Sequence, residues 1–265
     1  MKLGVIGCGN MGKALVGGIL EAGLCSPGEV FVYDAYPEAS QSMAAELGVE
    51  VVDSSSAVVD ASEVILLCVK PQVFGEMMSE LGEATDRLLI SIAAGVQIDA
   101  IEAGTGNRHR IIRVMPNTPS LVGRGASGYA LGTNATEEDA KITASLLEAV
   151  GFACRVEEND LDAVTALSGS GPAYVFLLIE SLIAGGIEQG LSPEISQQLA
   201  AHTVAGAAEL LLAGEDSPGE LRERVTSPNG TTFAALESFR ADNFEGIVKR
   251  AVKAATDRSR ELGSS

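Results

Sequence analysis

The sequence predicts an α/β protein in two parts: a mostly parallel sheet covered on both faces by helices, then an all-helical domain. Three observations carry this. A glycine-rich turn follows the first apolar run. Short strand-like runs then alternate with helical stretches up to about residue 158. From Asp160 no strand-like run survives, and long Ala/Leu segments take over. The expected division is therefore residues 1–158 and residues 159–265.

Leu3-Gly4-Val5-Ile6 is the first strand, and Gly7-Cys8-Gly9-Asn10-Met11-Gly12 sits directly behind it, ahead of a helical stretch over residues 13–21. In that setting the GxGxxG spacing has a mechanical meaning. Gly7 makes the tight turn, Gly9 lets backbone approach a pyrophosphate, and Gly12 lets helix pack on strand. The phosphates would lie on the free N–H groups at the helix N-terminus. Residues 30–33 form a second strand, and Asp34 closes it where an acid can hydrogen-bond a ribose 2′-hydroxyl. A 2′-phosphate would need a base nearby, and no Lys or Arg occurs between Lys13 and Lys70. The expected cofactor is therefore NADH or NADPH, with a lean to NADH, on a Rossmann-like domain.

Residues 49–52, 64–69, 88–92, 111–114, 129–131 and 152–156 continue as strands. Residues 37–47, 72–81, 98–102 and 137–150 carry helical spacing between them. In the helical part Ser192-Pro193 starts one helix, and Ser217-Pro218-Gly219-Glu220 is a capping box with Pro at the first helical position. Asn243 starts the last helix, which runs to about residue 262. Ala184-Gly185-Gly186 costs roughly 1 kcal/mol per Gly relative to Ala inside a helix, and close helix approach is the usual compensation. An apolar helical domain with small residues fits a subunit interface and an ordinary tight bundle about equally well.

Composition narrows the function classes. The formal net charge of -18 argues against nucleic acid or an anionic membrane as partner. Anionic ligands must then be held by local devices such as helix termini. Cys8, Cys25, Cys68 and Cys154 show neither a CxxC pair nor metal-ligand spacing, so free thiols and no metal are expected. Nothing resembles a signal peptide. The longest apolar stretch, residues 163–179, contains Ser, Gly and Pro and ends at Glu180, which reads against a membrane span. A soluble cytoplasmic protein is expected.

Several segments offer chemistry. Val69-Lys70-Pro71 lies at the end of a central strand, where ligands of open parallel sheets sit, although a strand-end lysine is often merely solvated. Ala93-Ala94-Gly95 lets backbone approach a flat ring, or is a simple tight turn. Met115-Pro116-Asn117-Thr118-Pro119 is a loop bracketed by prolines in which Asn117 offers a carboxamide to the cleft. Residues 167–174, LSGSGPAY, read as a break in a helical segment. Residues 227–232, SPNGTT, open a helix with unpaired N–H groups suited to a carboxylate, while Thr231 or Thr232 as a simple cap is the plainer reading. His109 and His202 read as structural, and no hydrolase or metalloprotease motif occurs. Chemistry needing no strong side-chain base fits best, and hydride transfer qualifies because the cofactor does the hard work.

Taken in order, residues 6–12, 69–71, 93–96, 115–119, 167–174 and 227–232 resemble pyrroline-5-carboxylate reductase along essentially the whole chain. The resemblance implies reduction of the cyclic imine pyrroline-5-carboxylate to L-proline, the last step of proline biosynthesis, and a helical dimerisation domain that interlocks two subunits within a larger ring. It implies a cofactor site of Ile6, Gly7, Gly9, Asn10, Met11, Gly12, Asp34, Ser55, Val69, Lys70, Pro71, Ala93, Ala94, Gly95 and Asn117. The substrate would meet Asn229, Gly230, Thr231, Thr232 and Ser170, with Thr232 and Lys70 as the catalytic pair. Asn229 stands where the family more often has Gly. Asn is the next best tolerated residue if that position needs φ > 0. Asp34 replaces a small polar residue found in many members, which supports the lean to NADH. Two rivals remain. A β-hydroxyacid dehydrogenase needs a lysine in the second domain, and none occurs between Lys141 and Lys249. A non-catalytic NAD-binding scaffold would bind without turnover.

Overall fold

The computed structural model describes residues 1–263. The strands are β1 (Leu3–Ile6), β2 (Val30–Tyr33), β3 (Glu50–Val51), β4 (Val64–Leu67), β5 (Leu88–Ser91), β6 (Arg110–Met115), β7 (Gly125–Leu131) and β8 (Gly151–Arg155). They form one sheet in the order β3-β2-β1-β4-β5-β6-β7-β8. Every neighbouring pair is parallel except β6 with β7. The helices of this part are α1 (Asn10–Glu21), α2 (Pro37–Leu47), α3 (Ser55–Ala61), α4 (Pro71–Ser79), α5 (Ile98–Gly104) and α6 (Glu137–Glu148). The later ones are α7 (Leu161–Val164), α8 (Gly171–Glu188), α9 (Pro193–Ala213), α10 (Pro218–Arg224), α11 (Thr231–Ala241) and α12 (Phe244–Gly263).

The aliphatic strands are buried on both faces, as a parallel sheet requires. Leu3, Val5, Val30, Val32, Leu66, Leu88 and Ile90 pack with Leu15, Ile19 and Leu146 on one side. Ile6, Ile65, Leu67 and Leu89 pack with Val58, Phe74, Met77 and Ile101 on the other. Period-two alternation along each strand sorts these side chains between the faces. A Cβ on Gly4 would lie 2.5 Å from Val58 Cγ1, so glycine is what lets α3 cross β1 so closely.

The chain divides into two compact units. One is residues 1–170 together with the end of α12 from Ala255; the other is residues 171–254. In the second unit α8 meets α9 at Gly186, where a Cβ would approach Ser196 Oγ to 2.8 Å, while Gly185 faces open space. The helix starts follow the sequence signals. Ser192 caps α9 through Ile195 N–H, and Ser217 with Glu220 closes a complete capping box on α10.

Two expectations are corrected here. LSGSGPAY does not break the helix. After α7 the chain makes a π-helical turn over Thr165–Gly169, in which Ser170 N–H donates to Thr165 O at 2.7 Å, and then enters α8. One wider turn accommodates the extra residue without ending the helix. Consequently Ser, Gly and Pro do not interrupt the apolar run. Residues 158–188 form a helix long and apolar enough, by length and composition alone, to cross a membrane, and its most apolar window is not buried by the rest of the chain.

Candidate functional site

In the strand order, β1 and β4 are the neighbours from which the sheet runs off in opposite directions, which is where open α/β sheets bind ligands. The turn of residues 7–9 lies at the end of β1, and Val69-Lys70-Pro71 lies just past the end of β4. Each glycine of the turn has a distinct reason to be there. Gly7 has φ +103°, and a Cβ on it would strike Cys68 O at 2.6 Å. A Cβ on Gly12 would strike Gly7 O at 2.4 Å, so α1 sits against the turn only because that side chain is absent. A Cβ on Gly9 would meet nothing within 4 Å. Sterics inside the protein therefore do not demand glycine at position 9. Gly9 is also the N-cap of α1, with no side chain bonded to the helix's first N–H groups. Exposed Asn10 and half-buried Met11 open the helix.

Asp34 is half-buried at the end of β2 and organises the neighbourhood. Its Oδ2 accepts Cys8 N–H at 2.7 Å, and its Oδ1 accepts Tyr36 N–H at 2.9 Å. Each oxygen retains a further lone pair for a ribose hydroxyl. Burial, then the Asp34 charge, pushes the Cys8 thiol up to about 12. Burial likewise raises Cys68. Both sulfurs beside the turn are thus neutral thiols and poor nucleophiles.

Lys70 is exposed at the N-cap of α4, Val69 is half-buried, and Pro71 is the first helical residue. Ala93 is buried and Ala94 exposed just past the end of β5, and Gly95 turns with φ +77°. The end of α12 lies against this turn: a Cβ on Gly95 would be 3.7 Å from Leu262 O. The segment following the turn is fixed by a residue that sequence reasoning missed. Glu158 Oε1 accepts Ile98 N–H at 2.7 Å at the start of α5 and pairs with Arg113 Nη1 at 3.0 Å. A glutamate 60 residues from its backbone partner leaves no local signal.

Two expected cofactor contacts differ in the structure. Ser55 is 1% exposed, and its hydroxyl faces Glu80 Oε2 at 3.5 Å, so it presents no side chain to a ligand. Asn117 is 8% exposed and does not offer its carboxamide to the cleft. Its Nδ2 donates to Ser168 O at 3.0 Å, and its Oδ1 accepts Ala126 N–H at 2.8 Å. Ser170 is half-buried at the end of the π-helical turn.

In the second unit, SPNGTT opens α11 without a side-chain cap. Asn229 has φ +57°, the left-handed conformation expected if Asn stands in for Gly. Gly230 is the N-cap of α11 with extended backbone and no side-chain cap, so neither Thr231 nor Thr232 caps the helix. A Cβ on Gly230 would meet Ser227 Oγ at 2.3 Å. Among the described residues no cluster of three or more His, Cys, Asp or Glu is arranged to hold a metal.

Residues 158–262 match the family model for pyrroline-5-carboxylate reductase dimerisation, and residues 2–95 match that for NADP oxidoreductase, coenzyme F420-dependent. A pyrroline-5-carboxylate reductase of Methanosarcina acetivorans is 40% identical over 99% of this chain and 98% of its own length. One from Arabidopsis thaliana is 41% identical over 100% and 96%. The chain belongs to the pyrroline-5-carboxylate reductase family. Solved pyrroline-5-carboxylate reductases share its whole fold. The Coxiella burnetii protein superposes with a TM-score of 0.92 at 33% identity, covering 98% of each chain. The Plasmodium falciparum protein, solved with NADP bound, gives 0.85 at 33% identity, covering 99% of this chain and 98% of its own. Membership in the pyrroline-5-carboxylate reductase family removes the β-hydroxyacid dehydrogenase alternative.

Proposed function

We propose that this chain reduces 1-pyrroline-5-carboxylate to L-proline with a reduced nicotinamide dinucleotide. The observation that carries the reading is family membership over the full length together with a glycine turn whose second glycine faces open space. That open face and the uncapped start of α1 fit a dinucleotide pyrophosphate. Gly7, Gly9, Asn10, Met11 and Gly12 would hold it, with Ile6, Asp34, Val69, Lys70, Pro71, Ala93, Ala94 and Gly95 along the strand ends. When bound, the dinucleotide supplies the hydride.

The chain's own residues do the rest. The uncapped N–H groups of Thr231 and Thr232, at the positive end of the α11 dipole, receive the substrate carboxylate. Thr232 hydrogen-bonds the ring nitrogen, favouring the iminium or the developing amine, and Ser170 adds a further polar contact. Lys70 contributes positive charge at the strand-end crevice, in a chain whose net charge is -18. Asp34 disfavours a 2′-phosphate and accepts a 2′-hydroxyl, so NADH is the preferred cofactor. Free thiols at Cys8, Cys25, Cys68 and Cys154 support a reducing, cytoplasmic setting.

Steady-state assays with racemic pyrroline-5-carboxylate and each cofactor test the reading, and NADH is expected to give the higher kcat/KM. NADH binding without turnover would leave the scaffold alternative standing. Thr232→Ala is expected to lower kcat roughly tenfold, the equivalent of one lost hydrogen bond, with little change in NADH affinity. Unchanged turnover removes Thr232 from the chemistry.

The assembly proposed is a homodimer within a larger ring, with a second copy covering the apolar helix surface. Phe176 and Leu177 are 61% and 65% exposed on α8, within the dimerisation match. Analytical ultracentrifugation should find dimers or their multiples; a monomer at micromolar concentration would contradict this.

A further inference from the structure

We infer that Asn117 is a positioning residue: it holds the π-helical turn that ends at Ser170 in the shape the substrate site needs. The inference rests on the reading above, in which Ser170 touches the substrate. It begins with the proline that follows the turn. In the α-helical pattern the carbonyl of Ser168 would take the N–H four residues on, and that residue is Pro172, which has none. A carbonyl left without a donor in a part-buried setting is costly unless another group supplies one. Asn117 supplies it, donating Nδ2–H to Ser168 O at 3.0 Å.

The donor is itself held rigidly. Asn117 Oδ1 accepts Ala126 N–H from β7 at 2.8 Å, which fixes which end of the carboxamide faces Ser168. The same strand end contributes a second constraint. A Cβ on Gly169 would meet Met115 Cε at 2.7 Å, so the side chain two residues before Asn117 packs where Gly169 has none. Within the turn, Ser168 Oγ donates to Val164 O at 3.0 Å and Ser170 N–H donates to Thr165 O at 2.7 Å. The Ser168 carbonyl in the wide turn thus takes a side-chain donor from just past the end of β6. Asn117 gives the sheet control over a helical turn some 50 residues later in the chain.

Asn117→Asp makes the idea falsifiable. The variant keeps an oxygen for Ala126 N–H, but its other oxygen donates to Ser168 O only when the carboxyl is protonated. Asn117→Ala is expected to raise the KM for pyrroline-5-carboxylate about tenfold, the loss of one buried donor, with the NADH dissociation constant within about twofold of wild type. For Asn117→Asp, the KM ratio to wild type should grow with rising pH and shrink as pH falls, which a merely structural loss would not reproduce. Hydrogen exchange gives a readout independent of turnover. The Ser170 amide should lose protection in Asn117→Ala and regain it at low pH in Asn117→Asp. A wild-type KM in both variants, or a pH-independent ratio, overturns the inference. If the wild type fails to reduce the imine, the functional reading falls, and Ser170 exchange alone then decides whether Asn117 holds the turn.

Discussion

Three glycines in one turn answer to three different constraints, and substitution should separate them. Gly9→Ala is expected to fold and melt as wild type, because its Cβ enters open space, yet to lose dinucleotide affinity. Gly12→Ala puts a methyl group 2.4 Å from Gly7 O, and overpacking of this kind costs about 1–3 kcal/mol. A thermal melt and an NADH titration on both variants check the contrast; equal melting temperatures for the two would contradict it. The spacing of these glycines is legible in sequence because it is a covalent interval. Asp34 was legible only in part. Its position at a strand end predicts a ribose contact, but its bonds to Cys8 and Tyr36 N–H depend on how β2 lies beside β1.

Helix starts show what short-range chemistry decides. Ser192 and the Ser217–Glu220 box act within three or four residues, so their geometry follows from the sequence. The start of α11 is of another kind, with left-handed Asn229 ahead of Gly230. Replacing Asn229 with Ala should cost about 1 kcal/mol, since a Cβ residue without a short polar side chain pays more for that conformation. Asn229→Gly serves as the control with a near wild-type melt. Equal stability of the Ala and Gly variants would show that the left-handed conformation carries no cost there. The π-helical turn was not legible. Ser, Gly and Pro in LSGSGPAY read as a break, and the backbone stays helical by widening one turn.

Protonation couples the sheet domain as a whole to pH through His109. It is 2% exposed, and its Nδ1 accepts Arg87 N–H at 3.2 Å, so the folded protein holds the neutral ring. Burial first, then Arg108 and Arg87, lower its pKa below the ordinary 6.5, against a smaller opposing effect of Asp86. The sign follows directly. Below about pH 6.5 the unfolded chain takes up a proton that the folded one refuses, so stability falls with pH until the folded value is passed. His109→Gln keeps an acceptor for Arg87 N–H and lacks the titration. Denaturant unfolding at pH 7.5 and 5.0 should show a larger loss for wild type than for the variant; equal losses would exclude His109 as a source.

The sequence by itself determined the sheet domain with its glycine turn, the acid at the end of β2, the helical remainder and the family. These rest on covalent spacing, hydrophobic period and capping, all of which act over a few residues. The tertiary structure alone decided that Asn117 answers Ser168, that Glu158 caps α5, and that the end of α12 returns to the Ala93–Gly95 turn. Those pairings join residues tens to more than a hundred positions apart. Only the packed sheet and its helices bring such groups within hydrogen-bond or contact distance.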